Sequence, residues 1–368
     1  MSVFCDSVLF RSLLSCVIAK GLSFAFWKNP CQEHFSLAAG LGAMKKIESI
    51  QDNQFVVCDF ENIHHFIIDP VLLIRDGQKV FDTMLIMKEV SVNQPGEINY
   101  YYDSFVVDDS SKASKSFYIE LVKKAASQLD PKGFSKVVLA RKKIIDLDHG
   151  FDPFNFFIKL TENYNDAFIY LLSSPQTGTW VGASPELMLE SSEGLIQTVA
   201  IAGTRSEKQL KKNIEFTEKE KTEQEIVSGH IRECFVSQNA IFEESLPSMI
   251  RAGNLYHIKT SFSSNAKNIN IFKYINDLHP SPAVSGYPKG ESIKYILEQE
   301  DLPRKFYSGF LGPYYGRNDF HFFVNLRCME IKRNNAILYA GAGILKDSDP
   351  EAEWQETENK IQTLLGLM

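Results

Sequence analysis

The chain has 368 residues, 44% hydrophobic and 23% charged, the balance of a folded globular protein with one large core or two ordinary ones. Its 27 Phe and 14 Tyr exclude disorder over most of the length. The net charge of −7, with no long Lys/Arg block, argues against nucleic acid as a main partner, and a small anionic ligand would need a local cationic pocket.

Near the N-terminus, Val8–Phe26 is apolar but carries Arg11 and Lys20. Leu9, Leu13, Leu14, Val17 and Ile18 recur at helical spacing, so an amphipathic helix is expected here, not a signal peptide or membrane span. Short strand-like runs follow at Phe55–Phe60, Phe66–Ile68 and Val71–Ile74. The polar stretch Asp108–Ser116 reads as a surface loop or linker, and Phe117–Leu129 as an amphipathic helix closed by Asp130-Pro131 and Gly133. Strand composition then marks Lys136–Ile145, Ala167–Leu172, Trp180–Glu190, Gln197–Ala202, Phe320–Ile331 and Ala336–Ala342. Lys211–Val236 is long, charged and helical, and Glu351–Leu365 is a second clear helix with Asp349 as N-cap and Pro350 in its first turn. The irregular mixing of strands and helices excludes a doubly wound sheet and predicts an α+β fold. Six scattered cysteines without a CxxC pair suit reduced core thiols in the cytoplasm.

Chemistry concentrates in the last two thirds. Glu353, Glu356 and Lys360 fall at i, i+3 and i+7, on one face of the C-terminal helix. By spacing alone this is either a solvated salt-bridge stripe or a site face. The strand end Tyr339-Ala340-Gly341-Ala342-Gly343 before it lets backbone approach a ligand closely, and the capped helix start could hold an anion.

The run Tyr339–Leu365 (YAGAGILKDSDPEAEWQETENKIQTLL) resembles the C-terminal signature of the chorismate-utilising enzymes, which include anthranilate, aminodeoxychorismate, isochorismate and salicylate synthases. Further matches stand in family order: KVVLAR at Lys136–Arg141, GASPELML at Gly182–Leu189, IAGTR at Ile201–Arg205 and KEKTEQEIV at Lys219–Val227. HPSPAVSGYPK at His279–Lys289, GFLGPY at Gly309–Tyr314 and FVNLRCMEI at Phe323–Ile331 complete the series. The resemblance implies a single large chorismate-binding domain of the anthranilate synthase component I type, with layered, mostly antiparallel sheets flanked by helices. Residues 117–368 would form its catalytic region and residues 1–110 a divergent N-terminal part of the same fold.

Carried over position by position, the resemblance implies Mg²⁺ held by Glu223 and Glu356, with Glu353 as a nearby ligand or outer-shell acceptor. Arg327 and Lys360 would take the enolpyruvyl carboxylate of chorismate, and backbone at Gly203 and Gly341 would add donors. Lys136 resembles the base that activates water, a role requiring a neutral amine, and Glu186 the acid that protonates the departing hydroxyl. His257 resembles a histidine lining the ring pocket, although a core histidine satisfied by backbone fits the sequence as well. Ala283 stands where anthranilate-, aminodeoxychorismate- and salicylate-forming members tend to carry threonine, so the resemblance is nearest to the isochorismate-forming type, serving a menaquinone or siderophore route. A salicylate synthase and a non-catalytic chorismate-binding subunit are the rival readings, and a monomer is the family default. The chain departs from the pattern at Gln224, where histidine is common, and at Glu220 and Lys221, which replace an Asp-Arg pair.

Overall fold

The structure is a computed structural model and describes residues 7–90, 98–102, 114–206, 216–252, 255–300 and 303–368. Helix α1 (Ser7–Ala19) precedes the strands β1 (Ser23–Lys28), β2 (Ser36–Lys45), β3 (Gln54–Cys58), β4 (His65–Arg75) and β5 (Gln78–Asp82). The short α2 (Ile86–Glu89) and α3 (Lys115–Gln128) lead to β6 (Lys136–Asp146), α4 (Pro153–Asn163) and β7 (Phe168–Ser174). Next come β8 (Gly178–Ser184), β9 (Leu187–Ser192), β10 (Leu195–Ser206), α5 (Glu218–Val236), β11 (Phe242–Glu244), β12 (Ser248–Ala252) and β13 (Leu255–Asn265). The chain closes with α6 (Ile271–Leu278), β14 (Gly286–Tyr287), α7 (Lys289–Gln299), β15 (Phe310–Gly316), β16 (Asp319–Val324), β17 (Cys328–Ile331), β18 (Asn335–Ile344) and α8 (Pro350–Leu365).

The described strands pair antiparallel into one sheet that divides at β4. One arm runs β5-β4-β2-β1-β7-β8-β17-β18-β6-β14. The other runs β4-β3-β15-β16-β9-β10-β13, with β11 and β12 beside β13. Side chains alternate across each strand, and the burial follows that period. Phe168, Tyr170 and Leu172 of β7 join Ile337 and Tyr339 of β18 with Phe55 and Val57 of β3, Leu311 of β15 and Phe323 of β16 in a shared core. Their neighbours Ile169 and Leu171 face α1 and α4, whereas Val56, Phe310 and Phe322 face α5 and α6. The two arms therefore pack face to face with helices outside, an α+β sandwich of sheets. The stacked rings of Phe168 and Phe323, 4.4 Å apart, join one arm to the other. Strands 23–75 are integral to both arms, because β1 pairs with β7 and β3 with β15.

Several expected elements are redrawn. The N-terminal helix stops at Ala19, and Leu22–Phe26 leaves it for β1 after Gly21 takes a φ of +71°. Phe66–Ile68 and Val71–Ile74 are one strand through Pro70, whose missing N–H falls at an irregular step in the pairing with β2. The run Phe55–Phe60 ends at Cys58. Trp180–Glu190 is two strands, parted at Pro185-Glu186, and Phe320–Ile331 is two, parted at Asn325–Arg327. Proline cannot donate to a ladder, and the Asn325 amide answers neighbours in its place, donating to the Phe306 carbonyl and accepting from the Tyr170 hydroxyl. Of the expected helix Lys211–Val236, residues 211–215 lie outside the described residues, and the described helix begins at Glu218, where Thr217 and Glu220 form a capping box. Of the expected linker, residues 108–113 lie outside the described residues and Ser114 is the N-cap of α3. Of the cysteines expected in the core, Cys58, Cys234 and Cys328 are buried, Cys31 is exposed, and Cys5 lies outside the described residues. No described helix is long and apolar enough to cross a membrane.

Phe168 fills the contact between the arms, so Phe168→Ala should lower unfolding stability by about 3–5 kcal/mol, the usual cost of deleting a buried ring. Urea denaturation followed by tryptophan fluorescence measures it; a loss under 1 kcal/mol would contradict the face-to-face core.

Candidate active site

One cleft lies where β6, β18, α5 and α8 meet the two strand breaks. Its empty space, mouth included, is about 890 Å³. It is lined by Lys136, Glu186, Gly203, Glu223, His257, Ala283, Arg327, Gly341, Glu356 and Lys360, residues that the motifs scatter over more than two hundred positions. Glu353 does not line it; this carboxylate is buried one turn before Glu356, where it adds to the effect of burial in raising the pKa of Tyr118. The cleft also gains Tyr307, Ser308 and Ile250, which lie outside every quoted motif, and Leu326, Tyr339 and Gly343, which lie inside quoted runs. Tyr307 and Ser308 stand just ahead of the GFLGPY match, so their signal lay beside residues already quoted.

The floor is β6 and β18. Lys136 opens β6 and is 2% exposed, a buried lysine and not a strand-end surface one. Gly343 makes its room. A Cβ there would come 3.1 Å from Lys136 Cε and 3.6 Å from the Glu223 carboxyl carbon, so lysine stem and carboxylate share the space a side chain would fill. A buried ion pair braces this floor from behind. Arg304 Nε donates to Glu300 at 2.8 Å, and its Nη atoms donate to the Val284 and Val138 carbonyls, both at 2.7 Å. Glu300 also accepts from the Ala140 amide at 2.7 Å, tying the Lys136 strand to the loop that presents Ala283.

The strand breaks supply one wall. Glu186 follows Pro185, and its carbonyl accepts from the Val324 amide at 2.9 Å. Arg327 sits after β16 at a φ of +47°, not within an apolar strand as the run FVNLRCMEI suggests. Its carbonyl accepts from the Ala183 amide at 3.0 Å and its guanidinium donates to Thr363 Oγ1 at 2.7 Å. The breaks thus fall side by side and turn an acid and a cation into the cleft. Opposite, Gly203 makes a bulge in β10 with a φ of +67°, where the register against β13 slips between Ala202 and Thr204. His257 of β13 lines the cleft and hydrogen-bonds the Gly203 backbone.

On α8, Lys360 Nζ lies 2.7 Å from Glu356 Oε1 and donates to the Gly341 carbonyl at 2.8 Å. Burial raises the Glu186 carboxyl from 4.5 to about 7, against the pull of Lys360, Lys136 and Arg327. Burial, then the positive charges of Arg327 and Lys360, push the His257 imidazole down to about 3, so it is neutral near pH 7. Burial also lowers the Arg327 pKa, while Tyr307, Glu356, Tyr164 and Glu186 act in the other direction. Glu223 and Glu356 give the cleft two carboxylates, the oxygen donors a hard divalent cation takes. Among the described residues no three His, Cys, Asp or Glu side chains form a closed metal cage.

Sandwich, helices and cleft define an enzyme-like ligand site at the meeting of two sheets, and the comparisons agree on its class. A family model described as chorismate binding enzyme matches residues 75–368, and the chain belongs to that family. It is 27% identical over 275 residues to the isochorismate synthase MenF of Bacillus subtilis, covering 72% of this chain but 58% of that protein. To the isochorismate synthase EntC of Escherichia coli it is 27% identical over 271 residues, covering 71% of this chain and 69% of that one. The solved menaquinone-specific isochorismate synthase MenF of Escherichia coli shares the fold, with a TM-score of 0.79, 20% identity, and coverage of 96% of this chain and 90% of that one. The anthranilate synthase component I of Streptococcus pneumoniae shares it more distantly, with a TM-score of 0.65, 18% identity, and coverage of 84% and 80%.

The raised Glu186 carboxyl makes a stability prediction. Its folded pKa lies above the unfolded value, so the native state holds the proton more tightly, and stability falls as pH rises from about 4.5 to about 7. Chemical unfolding across that window should show wild type losing ground to Glu186→Gln; a constant difference between the two would contradict the burial argument.

Proposed function

We propose that this chain is an isochorismate synthase, a Mg²⁺-dependent isomerase that converts chorismate reversibly to isochorismate. The observation that carries the reading is the pairing, in one cleft, of a 2%-exposed lysine with a buried carboxyl raised to about 7. The relatives' names and the Ala283 position favour the same chemistry.

Chorismate carries two carboxylates, and the cleft offers the matching charges. Arg327 and Lys360 take the enolpyruvyl carboxylate, the arginine by its planar fork. Glu223 and Glu356 would hold Mg²⁺, with Glu353 behind them; when bound, the cation would supply charge neutralisation to the ring carboxylate. Backbone at Gly203 and Gly341 and the neutral His257 orient the ring. Neutral Lys136 removes a proton from water as the water oxygen bonds to ring carbon C2. The ring double bonds shift, the C4–O bond breaks, and Glu186 gives its proton to the departing hydroxyl, which leaves as water. One water is added and one released, and proton exchange with solvent restores both groups.

Incubating the purified chain with chorismate, with and without Mg²⁺, and resolving products by chromatography and mass tests the reading. A Mg²⁺-dependent product of unchanged mass, identified as isochorismate, is expected. Salicylate with pyruvate would move the assignment to a salicylate synthase, and bound chorismate without turnover would indicate a binding subunit. Lys136→Ala should lower kcat about 10²–10⁴-fold, the range of general base catalysis, with chorismate affinity little changed. Because Glu186 must start protonated, kcat should decline as pH rises through about 7, a limb that Glu186→Gln removes along with most activity.

A further inference from the structure

Two helices present the two carboxylates that the preceding reading assigns to the metal, and each helix is gripped by an arginine from a strand. Arg205, two residues past the Gly203 bulge on β10, donates from Nε to both oxygens of Glu220, at 2.8 and 3.0 Å. Glu220 is also the capping-box residue of α5, accepting from the Thr217 amide at 2.6 Å, and Glu223 follows one turn later. Arg141 lies on β6, the strand that Lys136 opens. Its Nε donates to Thr357 Oγ1 at 2.6 Å, its Nη2 pairs with Glu358, and its guanidinium lies 3.8 Å over the Trp354 ring. Thr357 and Glu358 directly follow Glu356 on α8. Both arginine side chains are buried, at 7% and 6% exposure, and neither lines the cleft.

The physical need for such grips is plain. Glu223 and Glu356 bring two carboxylates from two helices into one cleft, and a shared cation site needs both helix faces held at fixed angles. A buried guanidinium has a planar, preorganised fork and loses little freedom per hydrogen bond, so it holds such an angle well. An arginine out of reach of the substrate can then govern where a carboxylate points. Partners of metal ligands act in this way in other sites, where their loss weakens metal affinity about 10–100-fold.

We propose that Arg205 and Arg141 are positioning residues for the divalent-cation site. Through Glu220 and Glu358 they fix the helix turns that present Glu223 and Glu356, and so set cation affinity without touching metal or substrate. This inference rests on the reading of those two glutamates as metal ligands. The substitution of an Asp-Arg pair by Glu220-Lys221 then leaves the grip in place, because the carboxylate that Arg205 needs is Glu220.

Mn²⁺ titration of the full chain, with free Mn²⁺ followed by electron paramagnetic resonance, tests it without recourse to turnover. Wild type is compared with R205Q, R205K, R141Q, E223Q and the double variant R205Q/E223Q. R205Q and R141Q should each weaken Mn²⁺ binding about 10–100-fold, with R205K recovering part of the loss. In the E223Q background R205Q should add little, since it acts through the carboxylate already removed, whereas a general loosening of the fold would add in full. If R205Q fails to fold, R205K and E220Q carry the same comparison. Wild-type affinity in the arginine variants, or full additivity with E223Q, overturns the proposal. Absence of Mn²⁺ binding by wild type, or an E223Q variant that binds normally, instead overturns the metal reading on which it rests.

Discussion

Charged side chains taken out of water must be paired, and that constraint organises the whole neighbourhood of the cleft. Lys136, Glu186, Arg327, Glu356 and Lys360 converge where two sheets and two helices meet, and around them stands a ring of ion pairs outside the cleft: Arg304 with Glu300, Arg205 with Glu220, and Arg141 with Glu358. Each outer pair joins two elements that also contribute a cleft residue or its backbone. The apolar sandwich supplies the rigid walls, and the outer pairs set the angles at which those walls offer their charges. Glu186 is the informative member of the set. Lys360, Lys136 and Arg327 stand near it, yet burial outweighs their pull and raises the carboxyl to about 7.

The cleft owes its shape to places where the strands fail. A strand that continued through Pro185-Glu186 would send Glu186 into a ladder, and one that continued through Asn325–Arg327 would leave Arg327 an alternating strand residue. Both interruptions occur, and the Ala183 amide to Arg327 carbonyl bond and the Val324 amide to Glu186 carbonyl bond knit them together. The Gly203 bulge does the same on the facing strand. Local breaks in regular pairing thus aim side chains that unbroken pleats would direct into the cores.

Much of this was legible from the sequence, and the illegible part has a physical cause. The Asp349 cap of the C-terminal helix could be placed to the residue and the helix itself to within one, because capping chemistry is local. The strands could be found, but not their breaks: Trp180–Glu190 and Phe320–Ile331 carry apolar residues covered on both faces, so no simple alternation marks where pairing stops. The site residues came from motif resemblance, and spacing alone would have left Glu223 indistinguishable from Glu218, Glu220 and Glu225. Arg141 and Arg205 stood inside quoted motifs, yet their partners are 217 and 15 residues away in the chain, and only the fold brings them together. The stacking of Tyr307 on Tyr339, 5.2 Å apart along one side of the cleft, was likewise invisible, since only the fold brings Tyr307 to that strand.

The central claim is that one cleft takes a dianionic ring between a base and an acid, with Glu223 and Glu356 as the residues that would hold a divalent cation. A crystal structure of the chain grown with Mg²⁺ and its equilibrium mixture of chorismate and isochorismate tests this most directly. The account predicts a cation between those two carboxylates, Lys136 Nζ next to ring carbon C2, and the Glu186 carboxyl next to the C4 oxygen on the other face. A ligand bound elsewhere, or a ring in this cleft with Lys136 and Glu186 on the same face, would contradict it.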